Sequence, residues 1–232
     1  VSTSTPSPAA QSITFPLGAT TRTGYLVYPD GSGPFPGVVV IHEIYGLNEN
    51  IKDITRRLAS TGYAALAVDL FAGRNRTVCM FRIFTAQLLH PLNNDAITEL
   101  KAALTFLGGL PQVDDTRLGA IGFCMGGGFA IAWACTDRRL RVIAPFYGTN
   151  PRPLDAVARS CPVVGSYPDK DFTTAHGQRL DAALTRYGIA HDIKIYPGTR
   201  HSFFNDQGKH YDAAAAQDSW QRVLAFFAEC LK

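Results

Sequence analysis

The sequence predicts an α/β fold, a mostly parallel central sheet carrying helices on both faces. Three observations predict it. Short β-branched runs such as Val38-Val39-Val40-Ile41 read as strands covered on both sides. Segments with apolar residues at helical spacing alternate with those runs, as parallel crossovers require. No repeat or linker interrupts the 232 residues, a length that one such domain accommodates. A single domain over residues 1–232 is therefore expected.

The elements follow in order. Val1 to Gln11 is Ser/Thr/Pro/Ala-rich and uncharged. It is expected to be a disordered leader, left by signal-peptide cleavage or trimmed upstream. Thr21 to Tyr28 alternates as an early strand, and Pro29 to Pro34 is a turn cluster. After the strand at Val38, Asn48 to Thr61 places Ile51, Ile54 and Leu58 at helical spacing, and Gly62 ends it. Ala64 to Val68 is the next strand, closed by Asp69, and Ala96 to Leu107 is a helix stopped by Gly108-Gly109. Leu118 to Phe123 is a strand leading directly into a small-residue helix, Met125 to Ala134. Strands at Val142 to Tyr147, Val163 to Tyr167 and Asp192 to Tyr196 then alternate with a helix between Thr174 and Tyr187. An amphipathic helix from Tyr211 to Leu231 closes the chain.

Composition narrows the function. Hydrophobic residues at 46% and charged residues at 18% argue against disorder. A net charge of +3 with scattered arginines gives no nucleic-acid footprint. No apolar run reaches the length of a membrane helix. A soluble protein is expected, cytoplasmic or exported after signal cleavage, as a monomer or weak dimer. The five cysteines, Cys79, Cys124, Cys135, Cys161 and Cys230, are irregularly spaced and contain no CxxC, so they form no disulfide framework. Asn75-Arg76-Thr77 is a glycosylation sequon of a kind that arises often by chance.

Chemistry concentrates in four places. Gly122-Phe123-Cys124-Met125-Gly126 is G-x-C-x-G between a strand and a helix, the context of the G-x-S-x-G nucleophile turn. The bland alternative is a structural cysteine in a glycine-rich turn, and the strand-turn-helix context favours the nucleophile. The positive end of the following helix is expected to lower the pKa of the Cys124 thiol. His201 lies between the last strand and the last helix, where the base belongs in the chain order nucleophile, acid, histidine. Asp171 follows the strand at Val163 and is the acid that would hold the His201 tautomer, with Asp169 the runner-up. A turn or helix-capping carboxylate is the competing reading for either. Glu43 ends the strand at Val38 in the oxyanion-side loop, where a carboxylate needs a reason. Hydrogen bonding to the resting thiol and receipt of its proton would supply one. His42 is expected to support the site from behind.

Rival motifs fail. His42-Glu43 has Gly46 where a zinc-binding helix needs a second histidine, and neither GxGxxG nor a P-loop occurs. No metal or organic cofactor is implied.

Together, His42-Glu43-Ile44-Tyr45-Gly46-Leu47-Asn48, Val68-Asp69-Leu70-Phe71, Gly122 to Gly127 and Tyr196-Pro197-Gly198 with His201-Ser202-Phe203 resemble the dienelactone hydrolase family. The resemblance runs from about Thr21 to the end of the chain. It implies an α/β-hydrolase fold, with Cys124 as nucleophile, His201 as base, Asp171 as its orienter and Glu43 as the carboxylate that activates the thiol. The backbone N–H groups of Ile44 and Met125 would form the oxyanion hole. Family members that act on dienelactone bind its carboxylate with two arginines. Here Arg74 and Arg76 lie near the first such position but displaced, and the second region reads Ser202-Phe203-Phe204-Asn205. Tyr45, Arg74, Arg76 and Phe204 are the substrate-contact candidates, and a neutral or apolar ester is compatible with Tyr45, Phe203 and Phe204.

The expected activity is hydrolysis of a small-molecule ester or lactone through an acyl-cysteine intermediate. A thioesterase or small-acyl transferase would use the same residues, and preference for acyl thioesters over enol lactones would reveal it. A non-catalytic binding protein on the same scaffold is the reading from another class. The intact set of Cys124, Asp171, His201 and Glu43 argues against it.

Overall fold

The computed structural model describes residues 10–71 and 76–232. Eight strands form one sheet: β1 (Ala10–Leu17), β2 (Thr20–Val27), β3 (Phe35–Ile41), β4 (Ala64–Val68), β5 (Val113–Phe123), β6 (Leu140–Phe146), β7 (Val163–Lys170) and β8 (His191–Arg200). Their spatial order is β1-β2-β4-β3-β5-β6-β7-β8, antiparallel across β1, β2 and β4 and parallel from β4 to β8. Six α-helices accompany them: α1 (Glu49–Ser60), α2 (Arg76–Leu89), α3 (Asp95–Gly108), α4 (Met125–Ala134), α5 (Thr174–Tyr187) and α6 (Ala213–Cys230).

Period-2 alternation in the sheet decides which helices cover which face. Val39 and Ile41 of β3 point into a core shared with α3, α4 and α5. Val38 and Val40 point the other way, onto Ile51, Ile54 and Leu58 of α1 and Trp220, Val223 and Phe227 of α6. The Val38-to-Ile41 run is continuous because each face needs its own apolar residues. The start of α1 is fixed by Asn48, whose side chain accepts from the Ile51 N–H at 3.1 Å, and Asn94 caps α3 through Ile97 in the same way. Each cap contributes about 1 kcal/mol.

The structure departs from the sequence expectation in three places. The expected leader overlaps β1, which starts at Ala10; residues 1–9 lie outside the described residues. This edge strand buries only Phe15, so its polar surface reads as unstructured chain. Helix α2 was not expected, because Val78-Cys79-Met80-Phe81 in succession shows no helical period. Strand β5 begins at Val113, since the polar Asp114-Asp115-Thr116-Arg117 precedes its buried half.

The chain leaves β3 toward β4 on one side and returns to β5 on the other. That reversal makes the carboxyl ends of β3 and β5 a switch point, where open α/β sheets form their crevice.

Candidate active site

Glu43 follows β3, Cys124 follows β5, Asp171 follows β7 and His201 follows β8, so all four stand at the carboxyl edge of the sheet. Cys124 sits between β5 and α4 at φ 55°, one of three non-glycine residues with positive φ among the described residues. Such backbone is strained for a residue with a Cβ. The turn is held by neighbours that must be glycine. A Cβ on Gly122 would lie 2.2 Å from the Gly126 carbonyl oxygen, and one on Gly126 would lie 2.4 Å from that of Ile41.

The turn delivers the Cys124 sulfur to the backbone N–H groups of Met125 and Ile44, both of which favour the thiolate. They do not prevail. Burial, followed by the charge of Glu43, pushes the thiol from its ordinary 9.0 up to about 12. Asp171 adds to the rise. The expected lowering by the helix end is thus overturned: the two N–H groups are outweighed by desolvation beside two carboxylates.

Asp171 Oδ2 accepts from His201 Nδ1 at 2.7 Å and from the Thr173 hydroxyl. With Nδ1 donating, Nε2 is the basic nitrogen of the neutral ring. Asp169 is exposed at the end of β7 and makes no such contact. The His201 ring is wedged between two aromatics that sequence reasoning did not single out. The Phe172 ring stacks on it at 5.3 Å and 20°, and Tyr147 lies 5.0 Å away on another side.

Glu43 is 3% exposed and its carboxylate is fully engaged. Ser202 Oγ donates to one oxygen at 2.8 Å and Asn205 Nδ2 to the other at 3.1 Å. The buried Tyr147 hydroxyl also hydrogen-bonds Glu43; burial and then the Glu43 charge push that phenol well above its ordinary range. Behind Glu43, the Leu70 N–H donates to His42 Nε2 at 3.1 Å. His42 Nδ1 therefore carries the proton and donates to the Glu43 carbonyl.

A cleft of about 520 Å³ opens beside His201, lined by Tyr45, Asn48, Ser202, Asn205 and His210 among others. Tyr45 is half exposed at its mouth. Phe204 is not a substrate contact: it is 3% exposed and packs on Phe123, Phe146 and Trp220. Phe203 is buried too. The loop that presents His201 turns its two phenylalanines inward to anchor itself. Arg74 lies outside the described residues, as does the Arg76 side chain, although Arg76 opens α2. All five cysteines are free thiols. Among the described residues no His/Cys/Asp/Glu group could hold a metal, and no helix is long and apolar enough to cross a membrane.

A strained cysteine between strand and helix, a histidine paired to a carboxylate, and two N–H groups at the sulfur define an α/β-hydrolase. Comparison with known proteins narrows the class. The profile of the Dienelactone hydrolase family matches residues 23–231, and the chain belongs to that family of ester and lactone hydrolases. It is 35% identical to a Saccharolobus solfataricus protein named "Putative carboxymethylenebutenolidase", over 90% of this chain and 94% of that one. It is 32% identical to "Protein usf" of Aquifex pyrophilus, over 90% of this chain and 93% of that one. Among solved structures, a dienelactone hydrolase-like promiscuous phosphotriesterase from metagenomic libraries superposes with a TM-score of 0.87. It is 28% identical, over 98% of this chain and 100% of that one.

Proposed function

We propose that the protein hydrolyses an activated ester or a lactone through an acyl-thioester on Cys124. The observation that carries the reading is the sulfur of a strained Cys124 lying against the N–H groups of Ile44 and Met125. Donors placed there stabilise the thiolate, and after attack they meet the oxyanion of the tetrahedral intermediate. The resting thiol, at about 12, is protonated at neutral pH, so attack requires loss of its proton. Glu43, whose charge acts directly on the sulfur, is the acceptor in this reading, and Ser202, Asn205 and Tyr147 fix its orientation. His201 Nε2 then takes a proton from water as water attacks the acyl-thioester, with Asp171 stabilising the imidazolium. In the first step the ester C–O bond breaks as the departing oxygen takes the proton held by Glu43. In the second the thioester carbon gains the water oxygen, the C–S bond breaks, the acid leaves, and the thiolate takes back the imidazolium proton.

A thiolate is a better leaving group than an alkoxide, so the first tetrahedral intermediate collapses forward only when the departing oxygen is activated. Aryl esters, enol esters and enol lactones meet that condition. The exposed Tyr45 and Phe172 beside the site suit an apolar or aromatic group.

Turnover of p-nitrophenyl acetate and of cis-dienelactone by wild type, Cys124→Ser and Cys124→Ala tests the reading. Both variants should lose activity by roughly a hundredfold or more. Rapid acid quench of the wild type should leave an acetyl group on the Cys124 peptide. Full activity in Cys124→Ala would overturn the proposal. The ratio of the two wild-type rates reports whether the substrate carries a carboxylate, and with it any part played by Arg74 or Arg76.

A further inference from the structure

Across the sheet from Cys124, a second cleft opens at the amino ends of β6 and β7, with a volume of about 590 Å³. It shares no lining residue with the cleft at His201. Arg138, Arg141 and Arg159 line it, with Asp137, Cys161 and Cys230. The one carboxylate in that set is already neutralised. Arg139 holds both Asp137 oxygens, through Nε at 2.9 Å and Nη2 at 2.7 Å, and the Trp133 indole adds a bond of 3.0 Å.

Three arginines therefore line one concavity, and among the described residues none of them pairs with a carboxylate. Two are held in place. Arg141 Nε donates to the Thr116 carbonyl at 3.1 Å, and Arg159 Nε donates to the Cys135 carbonyl at 3.1 Å. An anchored Nε leaves both Nη groups of a planar guanidinium as free, paired donors. Such forks match the oxygens of a phosphate or carboxylate, and their rotamer entropy is already spent. Arg138 makes no hydrogen bond or ion pair among the described residues and is free to close on a ligand. Like charges gathered in a concave surface also raise the local concentration of anions.

We infer that this cleft is a second binding site, separate from the reaction centre, for a small molecule carrying several phosphate or carboxylate oxygens. Its volume lies in the ordinary range for small-molecule pockets, about 300–1,000 Å³. The site is independent of the proposed reaction, because Arg138, Arg141 and Arg159 take no part in it.

Calorimetric titration of the whole chain with pyrophosphate and with citrate, at low ionic strength, tests the inference. Wild type should bind at least one of them saturably at one site. Arg141→Gln/Arg159→Gln should bind at least tenfold more weakly while hydrolysing p-nitrophenyl acetate at the wild-type rate. Binding of pyrophosphate alone identifies a phosphate ligand, binding of citrate alone a polycarboxylate, and binding of both supports their shared chemistry. Should the double variant unfold through the freed Thr116 and Cys135 carbonyls, Arg138→Glu removes no internal bond and should show the same weakening. No saturable binding by wild type, or equal affinity in a folded variant, would overturn the site.

Discussion

Glu43 and Cys124 form a pair in which each residue's environment constrains the other. The carboxylate is buried, and its donors, Ser202, Asn205 and Tyr147, are all neutral. Its charge, added to burial, holds the thiol at about 12. A protonated resting thiol is poorly reactive toward adventitious electrophiles, because the thiolate is the nucleophile. Alkylation of Cys124 by iodoacetamide should therefore accelerate about tenfold per pH unit from pH 7 to 10, since each unit raises the thiolate fraction by that factor. Peptide mass spectrometry after timed quenching reads the rate, and a plateau near neutrality would contradict the assignment. Asn205→Ala leaves one Glu43 oxygen without its donor in a buried site, a loss of about 1–3 kcal/mol. Stability to urea should fall by that amount, and turnover should fall with it. Phe172 is 67% exposed and stacks on His201, so a substrate at His201 would meet its ring in the proposed reaction. Phe172→Ala should raise KM for phenyl acetate several-fold and leave kcat within about threefold, since Asp171 still orients the ring. An unchanged KM would reduce Phe172 to a shield over His201.

At the scale of elements, what the sequence revealed and what it hid have one physical origin. Strands β3 and β4 and the second half of β5 are buried on both faces, so their apolar runs announced them. Strand β1 and the first half of β5 are largely solvated, and their polar residues resembled loop. In the site, Cys124, Asp171 and His201 could be placed because chain order and strand ends constrain them. Ser202 and Asn205 could not, because their bonds to Glu43 join positions 159 and 162 residues apart. Tyr147 and Phe172 escaped notice for the same reason: each meets His201 only once β6, β7 and β8 are aligned. The glycine cluster at α4 looks uniform in sequence and is not uniform in space. A Cβ on Gly126 would meet the backbone oxygens of Ile41 and His42 at 2.4 and 2.8 Å, whereas one on Gly128 would meet the Thr149 hydroxyl at 3.0 Å. Gly126→Ala must therefore push α4 away from β3 and should yield little folded or active protein. Gly128→Ala gains up to about 1 kcal/mol of helix propensity against a Thr149 hydroxyl that can rotate and Thr149 backbone atoms, 3.3 and 3.4 Å away, that need give only a few tenths of an ångström, and should stay within about 1 kcal/mol of wild type in urea denaturation. Equal tolerance of the two would mean that α4 does not abut β3 as described.

Over the whole molecule, buried thiols set an alkaline limit that the catalytic groups alone would not. Cys124, Cys135 and Cys161 are each pushed from an ordinary 9.0 to about 12, chiefly by burial. Cys135 and Cys161 lie away from the reaction centre, so their contribution belongs to the fold. In the unfolded chain these thiols ionise near 9, while in the folded protein they keep their protons up to about 12. The contribution is fully present below pH 9 and is lost as pH rises toward 12, because the folded state then binds more protons than the unfolded one. Each thiol can weaken folding by up to about 1.4 kcal/mol per pH unit in that window, so three give a combined slope near 4 kcal/mol per unit. A domain stabilised by about 5–15 kcal/mol loses most of its margin within a few such units. The buried Tyr147 and Tyr167 phenols, also raised by burial, act in the same direction at still higher pH. Urea midpoints measured at pH 8, 9 and 10 should therefore fall modestly over the first interval and about three times as far over the second. Cys135→Ala should flatten the second interval relative to its own value at pH 8, one of the raised thiols having been removed. The comparison is made within each protein, because the variant also leaves a small cavity that lowers every midpoint alike. A wild-type midpoint that stays level to pH 10 would show that the thiols ionise in the folded state at their ordinary value.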